Sequence, residues 1–526
     1  MKKWKVGLFS LLLVSVLGAC STNGQTSKET GKEKLSVITT FYPMYDFTKN
    51  IVGDEGEVKL LIPAGTEPHD YEPSAKEIAS IHDADVFVYH NENMETWVPQ
   101  AEKSWKKGSP NVIKGTNGMV LLPGSEEEHD HDHGEEEHHH ELDPHTWVSP
   151  KMAIKEVTSI KEQLEQLYPE KKKTFETNAE KYLTKLKALD EEYTEKLSVA
   201  KQKNFVTQHA AFGYLALDYG LNQVPIAGLS PDQEPSPSRL AELKEYVQEN
   251  EIKYIYFEEN AEDKIAKTLA DEAKVKLEVL NPVESLTKEQ IANGEDYLSV
   301  MKENLTALEK TTSVAGKEIK PENVTESTKT VANGYFKDEA VKDRTLADYA
   351  GEWQSLYPLL KEGALDQVFD YKAKLNKDKT AKEYKSYYTA GYKTTVDKMT
   401  ITDHTIDFVV DGEHHQYEYN YAGYKILNYE KGNRGVRFLF ETADKDAGEF
   451  KYVQFSDHNI APVKAEHFHA FFGGESQQKL FNELTNWPTF YAEHNGSLAR
   501  LDRCTVNTGR HRCCRRLGEG ISRCRF

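Results

Sequence analysis

Histidines and carboxylates crowd one stretch of the sequence, residues 125–141. Neutral imidazole is the commonest protein ligand of zinc and also suits copper and nickel. The stretch has almost no apolar residues and much like charge, so we predict a solvated loop that binds divalent cations loosely. A solvated acidic loop with incidental histidines is the alternative. Beside nine carboxylates, the stretch contains six candidate auxiliary ligands: His129, His131, His133, His138, His139 and His140.

Four further side chains stand in more ordered settings. His145 lies in the sequence Asp-Pro-His-Thr-Trp, where the proline stiffens the backbone and the aromatic residue can pack, so it suits a rigid ligand. His69, His209 and Glu284 each follow a predicted strand, and ligand sites of α/β folds gather at strand ends. An isolated histidine is more often a surface or core residue than a ligand. Three histidines and a glutamate together would form the nitrogen-rich, four-coordinate shell that zinc favours.

A second candidate set lies near the C-terminus. His467 and His469 are two residues apart, so on a strand their side chains face the same way and can share one metal ion. His458 lies nine residues before His467, close enough to fold back to the pair. Three protein ligands leave one coordination position open, which suits capture and transfer of zinc. The same open position could activate a water molecule for hydrolysis.

Residues 35–312 alternate between short apolar runs and helical stretches, which predicts parallel sheets covered by helices on both faces. Residues 169–201 carry apolar side chains at alternating intervals of three and four, as one long amphipathic helix does. Two α/β lobes joined by this stiff helix would leave a cleft between them, while a coiled coil is the alternative use of such a stripe. The predicted strands are 35–41, 58–62, 86–90, 204–207, 223–226, 254–257 and 276–280.

The pattern changes after a predicted linker at residues 313–330. Residues 405–410 and 417–421 alternate between apolar and polar side chains, with the hairpin signal Asp411-Gly412 between them. Further short runs of this kind predict a compact β-barrel with helices before and after it. The domain is predicted to span residues 331–491.

The length, the charge and the N-terminus of the chain restrict its partners. The 526 residues are enough for about two to four domains, and a net charge of −20 argues against nucleic acid and suits a cation. Residues 1–19 have the lysines and the short apolar run of a secretory signal. Cys20 follows Leu-Gly-Ala, which resembles a bacterial lipobox. We therefore expect a lipid on Cys20, a tether over residues 20–34, and an exported protein anchored on the outer face of the cell membrane.

The C-terminal residues 492–526 differ in composition from the rest of the chain. Four arginines occur before residue 500 and eight after residue 499, whereas no lysine follows Lys479. Four of the five cysteines also lie in this tail: Cys504, Cys513, Cys514 and Cys524. Our hypothesis is an aberrant, out-of-frame terminus. A disulfide-bonded or metal-binding tail is the alternative, although adjacent cysteines without a framework are a weak zinc signal.

Three histidine motifs resemble those of the metal-receptor lipoproteins of ABC importers, and within that family the zinc receptors. The motifs are Pro68-His69-Asp-Tyr-Glu-Pro-Ser74, Asp143-Pro-His-Thr-Trp-Val-Ser-Pro150 and His209-Ala-Ala-Phe-Gly-Tyr214. The resemblance covers roughly residues 35–490 and implies two lobes with zinc held between them by His69, His145, His209 and Glu284. Manganese receptors have Glu at the third position and close the shell with Asp. Here Asn281 cannot supply that carboxylate, so Glu284 is the candidate, with water as the alternative fourth ligand.

The same resemblance implies roles around the site. Zinc receptors carry a histidine-rich insertion where residues 125–141 lie, so this loop is expected to collect zinc and hand it to His145. Ordering a flexible loop around a metal costs entropy, which argues against a tight site there. Trp97 is implied as a cap of the cleft, with an ordinary core tryptophan as the alternative. Because ligation needs neutral imidazole, we expect zinc uptake to weaken as the pH falls through about 6.5.

The C-terminal domain resembles the ZinT zinc-binding proteins. The resemblance rests on Tyr349-Ala-Gly-Glu-Trp-Gln-Ser355, on the three histidines His458, His467 and His469, and on Asn486-Trp-Pro-Thr-Phe-Tyr491. It implies a lipocalin-like barrel with three histidines on zinc. The usual ending of that family is missing after Tyr491, which leaves the packing of its last helix open.

We therefore expect an extracellular zinc-binding receptor lipoprotein that captures Zn²⁺ and delivers it to an ABC importer. The chain has no Gly-x-x-x-x-Gly-Lys-Ser/Thr loop, so the ATPase must be a separate protein. We expect two tight zinc sites with weak loop binding, no catalytic or cofactor-binding residues, and no enzyme activity. One alternative is a zinc hydrolase with Glu466 or Asp457 as base, although no His-Glu-x-x-His motif occurs. The other is a passive surface zinc buffer or adhesin.

Overall fold

The computed structural model of the chain describes residues 34–105, 110–124, 142–231, 236–258, 264–315, 331, 334–428, 434–482 and 486–492. Several predicted features lie outside these residues: the signal sequence, Cys20 and its tether, the loop 125–141 with its six histidines, most of the linker, and the tail from residue 493. Among the described residues, no helix is both long and apolar enough to cross a bilayer.

The first lobe is a parallel sheet with helices on both faces. Its strands are β1 (Leu35–Thr39), β2 (Gly56–Leu60), β3 (Val86–Tyr89) and β4 (Asn111–Lys114), in the order β2-β1-β3-β4. Its helices are α1 (Tyr42–Val52), α2 (Ala75–His82) and α3 (Val98–Glu102). Neighbouring residues of β1 enter different cores: Val37 joins the cluster of α1, and Ile38 joins that of α2 and α3. Trp97 belongs to the second cluster, where it packs on Phe87, so it is a core residue and the implied cap is wrong.

The bridging segment consists of two helices, α4 (Pro150–Leu167) and α5 (Lys172–Ser198). The predicted helix is present as α5, whereas α4 was not predicted. The seven apolar residues of the α5 stripe are all buried. The stripe also carries two tyrosine hydroxyls that tie α5 to both lobes, because Tyr182 donates to Asp46 of α1 and Tyr193 donates to the carbonyl of Met301. Helix α5 therefore fixes the spacing of the lobes.

The second lobe repeats the design of the first. Its parallel strands are β5 (Asn204–Thr207), β6 (Asn222–Pro225), β7 (Tyr254–Phe257) and β8 (Lys276–Val279), in the order β6-β5-β7-β8. Its helices are α6 (Gly213–Tyr219), α7 (Pro237–Glu249), α8 (Lys264–Ala273), α9 (Lys288–Ala292) and α10 (Tyr297–Thr312). Phe205 and Val206 of β5 again enter different clusters. The predicted α/β architecture of residues 35–312 is confirmed.

The C-terminal domain is built on one antiparallel sheet of nine described strands. They are β9 (Gly351–Ser355), β10 (Lys398–Ile401), β11 (Thr405–Val410), β12 (Glu413–Glu418), β13 (Asn420–Asn428), β14 (Arg434–Glu441), β15 (Tyr452–Ser456), β16 (His467–Gly473) and β17 (Thr489–Ala492). The order is β12-β11-β10-β9-β17-β16-β15-β14-β13. Side chains from strands across the sheet meet in one cluster, for example Trp353, Phe408 and Phe468, so the sheet curls around its own core. This confirms the predicted lipocalin-like, β-rich domain.

Helices α11 (Leu356–Glu362), α12 (Asp366–Asn376), α13 (Ala381–Tyr392) and α14 (Gln477–Asn482) complete this domain. Helix α12 packs against the two α/β lobes. Nζ of Lys374 lies 2.8 Å from Oδ1 of Asp218 on α6, and the side chain of Gln367 exchanges hydrogen bonds with the backbone of Val120. An apolar cluster that contains Met152, Tyr214 and side chains of α11 to α13 lies beside these contacts.

Replacement of Gly391 is expected to destabilise the C-terminal domain selectively. A Cβ atom at this position would overlap the indole ring of Trp487, whose backbone NH donates to the Gly391 carbonyl at 2.6 Å. Overpacking of this kind costs about 1–3 kcal/mol. Thermal unfolding of Gly391→Ala should show a lower Tm for the domain, while Ser386→Ala on the exposed face of α13 should leave it unchanged. Equal Tm values for Gly391→Ala and the parent would contradict the packing.

Candidate metal centres

The first candidate centre lies between the lobes. The side-chain ligand atoms of His69, His145, His209 and Glu284 all lie within 4.8 Å of one another. Nε2 of each histidine is 3.4 Å from Oε1 of Glu284, and Nε2 of His69 is 3.1 Å from Nε2 of His145. A tetrahedral shell with Zn–N bonds of 2.0–2.1 Å has edges of about 3.3 Å. The donor atoms therefore stand at the spacing of a tetrahedral zinc shell.

Both lobes contribute to this centre. His69 follows β2 and His209 follows β5, whereas Glu284 follows β8. His145 lies directly before a short 3-10 helix, Thr146–Val148, on the connection that leads into α4. All four residues that the sequence singled out meet here, because the carboxyl ends of parallel strands from two lobes face one cleft.

Two carboxylates orient the imidazole rings, and sequence reasoning missed both. Nδ1 of His145 forms a hydrogen bond of 2.8 Å with Oδ1 of Asp143, and Nδ1 of His209 pairs with Glu258. Such carboxylate–histidine pairs fix the tautomer and leave Nε2 for a metal. Glu258 comes directly after the apolar run of β7, so the strand-end rule could have found it. Asp143 lies two residues before His145 in the motif itself.

A strained turn presents Glu284. Val283 has a φ of +61°, a conformation that a β-branched residue rarely adopts. The side chain of Asn281 accepts a hydrogen bond of 2.7 Å from the NH of Val283, and Nε1 of Trp147 donates to the carbonyl of Pro282 at 2.7 Å. Strain of this kind persists where the surroundings hold it. Asn281 therefore stabilises the turn that carries the carboxylate.

Charge complementarity holds the first centre together. Burial lowers the pKa of His145 and His209, but the carboxylates of Asp143, Glu258 and Glu284 outweigh it, so both pKa values are raised. Burial opposes ionisation of Glu284, yet the three histidine rings, each with Nε2 at 3.4 Å from Oε1, hold its pKa well below the usual range. The pocket is thus electronegative and ready for a cation.

The second candidate centre lies in the C-terminal domain. His467 and His469 share β16, and their ligand atoms lie within 4.8 Å of those of His458. Oγ1 of Thr489 donates to the carbonyl of Trp487 and lies 2.9 Å from Nδ1 of His469, so it accepts from this nitrogen. Nε2 of His469 is buried without a hydrogen-bond partner. It is therefore the nitrogen that could bind a metal.

A buried ion pair holds the loop that carries His458. Arg344 donates to Oδ1 of Asp457 at 2.6 Å and to the carbonyl of Val463 at 2.6 Å. These two acceptors lie on either side of His458 in that loop. His458 itself has a φ of +68°, which the ion pair helps to stabilise. The carboxylate of Asp457 is thereby occupied as an anchor, which argues against its use as a general base. Glu466, the other candidate base, is exposed.

The electrostatics of the second centre are opposite to those of the first. Burial lowers the pKa of His469, and the neighbouring His458, His467 and Arg437 lower it further, well below the usual value. His469 is therefore neutral, and ready to bind a metal, at a lower pH than His145 or His209.

The base of the acidic loop lies beside the first centre. Pro123 and Leu142, which flank residues 125–141, form an isolated antiparallel bridge. Leu142 precedes Asp143, the partner of His145. Leu142, where the described chain resumes, thus lies three residues before a candidate ligand.

Two sequence families match the chain in succession. The family described as "Zinc-uptake complex component A periplasmic" (ZnuA) matches residues 37–311. The family described as "ZinT (YodA) periplasmic lipocalin-like zinc-recruitment" matches residues 327–499.

Similar proteins share this order of domains. The chain is 62% identical over 490 residues to the zinc-binding lipoprotein AdcA of Streptococcus pneumoniae serotype 4, which covers 92% of this chain and 97% of that protein. It is 54% identical over 312 residues to the high-affinity zinc uptake system protein ZnuA of Bacillus subtilis, across 58% of this chain and 97% of that protein. The crystal structure of Zn(II)-bound AdcA from Streptococcus pneumoniae aligns with a TM-score of 0.78 at 59% identity, covering 91% of this chain and all of that one.

Removal of Asp143 is expected to weaken zinc binding at the first centre. Without its carboxylate, Nδ1 of His145 loses the partner that orients the ring, and such changes lower metal affinity about 10- to 100-fold. Chelator competition should show this loss for Asp143→Ala. The exposed pair of His82 and Asp83 supplies the control, because Asp83→Ala breaks a contact of the same type away from the site. Unchanged affinity in Asp143→Ala would refute the orienting role.

The two centres are expected to lose zinc at different pH values. Zinc binds neutral imidazole, so a histidine with a raised pKa begins to compete through its proton at higher pH. The pKa values of His145 and His209 are raised and that of His469 is lowered. As the pH falls from about 8 to 5, the first centre should release zinc before the second. Zinc titrations of variants that retain one centre each would test this, and coincident pH profiles would contradict it.

Proposed function

The chain belongs to the family of two-domain zinc-binding AdcA proteins, and on this premise we propose that it is an extracellular receptor that captures Zn²⁺ and delivers it to an ABC importer. The observation that carries the proposal is a set of three imidazoles and one carboxylate at tetrahedral spacing, contributed by both lobes, in which His145, His209 and Glu284 are buried and His69 is half-buried. Nitrogen-rich, four-coordinate surroundings favour zinc over cations that prefer oxygen ligands.

At the first centre we assign His69, His145, His209 and Glu284 as the ligands of the transported ion. Three neutral imidazoles and one carboxylate leave a bound Zn²⁺ with a net charge of +1. The buried carboxylates of Asp143 and Glu258 are hydrogen-bonded to Nδ1 of His145 and His209, respectively, and they offset this charge. Release to the importer then requires ligands of at least one lobe to withdraw from the ion, since neither lobe supplies all four.

At the second centre we assign His458, His467 and His469. Three protein ligands leave a position open to water or to an incoming donor, so zinc can be exchanged by ligand substitution. A site of this kind suits capture, whereas the four-ligand centre suits retention. The two domains therefore divide the work, and the six histidines of residues 125–141 serve as auxiliary, weak ligands beside His145.

The remaining features complete the receptor. We propose a signal peptide over residues 1–19 and a lipid on Cys20 that anchors the exported chain at the outer face of the membrane. The partner is an ABC permease with a separate ATPase. The relatives are named as zinc-binding or zinc-uptake proteins, which supports a receptor without enzyme activity.

We propose domains at 35–312 and 331–491 with a linker at 313–330, in line with the family matches to 37–311 and 327–499. For residues 492–526 we keep the hypothesis that they are translated in an altered reading frame.

Zinc stoichiometry tests the proposal directly. The chain without residues 1–20 should bind two zinc ions tightly, as measured by calorimetry and elemental analysis. The substitutions His69→Ala and His145→Ala together should remove one ion, and His467→Ala with His469→Ala should remove the other. The matched control is His414→Ala with His415→Ala, since these histidines lie on β12 outside both centres. Retention of both ions in either ligand variant would overturn the assignment of that centre.

Deletion of residues 126–140 should remove only weak zinc binding. The six histidines of this segment lie among nine carboxylates in residues 125–141, and fixing each residue of a segment around a metal costs conformational entropy. The deletion variant should keep both tight ions and lose the additional sites seen at high zinc concentration. Its rate of zinc uptake at low concentration should also fall. Loss of a tight ion on deletion would show instead that the loop supplies a ligand.

A further inference from the structure

A buried polar network lies behind the first centre and contains none of its proposed ligands. His90, Glu95 and Glu156 are all at most 1% exposed. His90 follows β3, Glu95 belongs to the turn before α3, and Glu156 lies on α4. Buried ionisable groups are seldom needed for stability alone, because apolar residues of similar size often stabilise a core as well or better. This network therefore calls for another explanation.

The network holds the two residues that flank His145. Nε2 of His90 donates a hydrogen bond of 2.6 Å to the carbonyl of Pro144. On the other side, Oγ1 of Thr146 donates to Oε1 of Glu156 at 2.6 Å. Nδ1 of His90 lies 3.4 Å from Oε2 of Glu156, so the two anchors also pair with each other.

His90 is itself fixed to the first lobe. Its backbone NH donates to Oε1 of Glu95 at 3.0 Å, and the same carboxylate accepts from Oγ1 of Thr40 at the end of the central strand β1. The aromatic rings of Phe41 and Trp147 pack edge-on against the imidazole, with ring centroids 5.8 and 4.9 Å away. A chain of contacts thus runs from the sheet through His90 to the loop of His145.

The carboxylate of Asp143 orients the ring of His145 only relative to the loop that carries both residues. The backbone of Asp143 is held by the carbonyl of Leu122 and by the hydroxyl of Tyr214, which fixes the loop only on the N-terminal side of Pro144. The contacts from His90 and Glu156 come from other elements, β3 and α4. These contacts fix the position of the loop on the first lobe, and hence the position of His145 relative to His69.

We propose that His90 is a positioning residue for the first centre, which holds the Pro144 carbonyl and, together with Glu156 on Thr146, places His145 at ligand spacing. The inference rests on the proposed zinc function of that centre. Positioning of this kind raises affinity because the ligand loop need not be ordered when the ion binds. No contact between His90 and the ion is required.

Substitution of His90 tests the proposal in the chain without residues 1–20, with His467→Ala and His469→Ala present so that one tight site remains. His90→Leu removes the donor to Pro144, and we expect zinc affinity to fall about 10- to 100-fold in chelator competition. His90→Gln can place an amide NH near the position of Nε2 and should recover most of the affinity. His90→Asn is too short to reach the carbonyl and should not.

A spectroscopic readout separates positioning from stability. Co²⁺ in place of zinc should give visible absorption bands of a tetrahedral site in the parent and in His90→Gln, and weakened or shifted bands in His90→Asn. The matched control is Tyr168→Phe, which deletes a hydrogen bond of 3.1 Å from the side chain of Asn111 in the same lobe, at the end of β4 opposite to the site. It should lower the Tm while leaving zinc affinity and the Co²⁺ spectrum unchanged.

The outcomes are distinct. Weaker zinc binding in His90→Leu and His90→Asn, with recovery in His90→Gln and none of these effects in Tyr168→Phe, supports the positioning role. Equal zinc affinity in His90→Asn, His90→Gln and the parent overturns it while the receptor function stands, even if His90→Leu fails to fold. An equal affinity loss in Tyr168→Phe reduces the effect to general stability and also overturns it. If the parent itself binds no zinc at this centre, the proposed function fails and the positioning role falls with it.

Discussion

A buried negative charge organises the receptor domain. The carboxylate of Glu284 is enclosed by three imidazoles at 3.4 Å, and an isolated ion could not be kept so far from water without such partners. Each of those imidazoles comes from a different segment of the chain, so the charge can be satisfied only when both lobes and their connection are in place. The arrangement that compensates Glu284 is also the one that a tetrahedral ion needs. Protons and a metal ion would therefore compete for the same ring nitrogens. A cation could enter the folded site by displacing protons from them.

The rest of the first domain keeps these segments in register. Helix α5 fastens one lobe through Tyr182 and the other through Tyr193, so the cleft has a defined width. Around the cleft, carboxylates act at two levels. Asp143 and Glu258 orient individual rings, whereas Glu156 and His90 anchor the loop on which one of those rings is carried. Affinity in this view depends on residues well outside the coordination shell, each of which removes freedom that binding would otherwise have to restrict.

The two centres differ in the electrostatics that surround them. Carboxylates raise histidine pKa values in the first centre, whereas cationic neighbours and burial lower that of His469 in the second. On the proposed assignments, four ligands in an electronegative cleft would favour retention of a cation, and three ligands beside Arg437 would favour exchange. The domains touch through α12, where Lys374 pairs with Asp218 on α6, the helix that follows His209. Capture and retention are thereby combined in one chain with a shared interface rather than on two independent modules.

Residue types and short spacings determined much of this protein by themselves. The alternation of apolar runs and helical stripes was sufficient for two parallel α/β lobes and a long connecting helix, since both patterns are local. Motifs around His69, His145, His209, His458, His467 and His469 pointed to metal chemistry because imidazole has few other uses in such clusters. The core position of Trp97 and the supporting roles of Glu258, His90 and Arg344 came only from the tertiary structure. Each of these depends on a partner distant in sequence, such as Glu258 on His209 or Arg344 on Asp457, and no local pattern specifies which distant groups will meet. The donor spacing at Glu284 is of the same kind, because it exists only where the ends of separate strands converge.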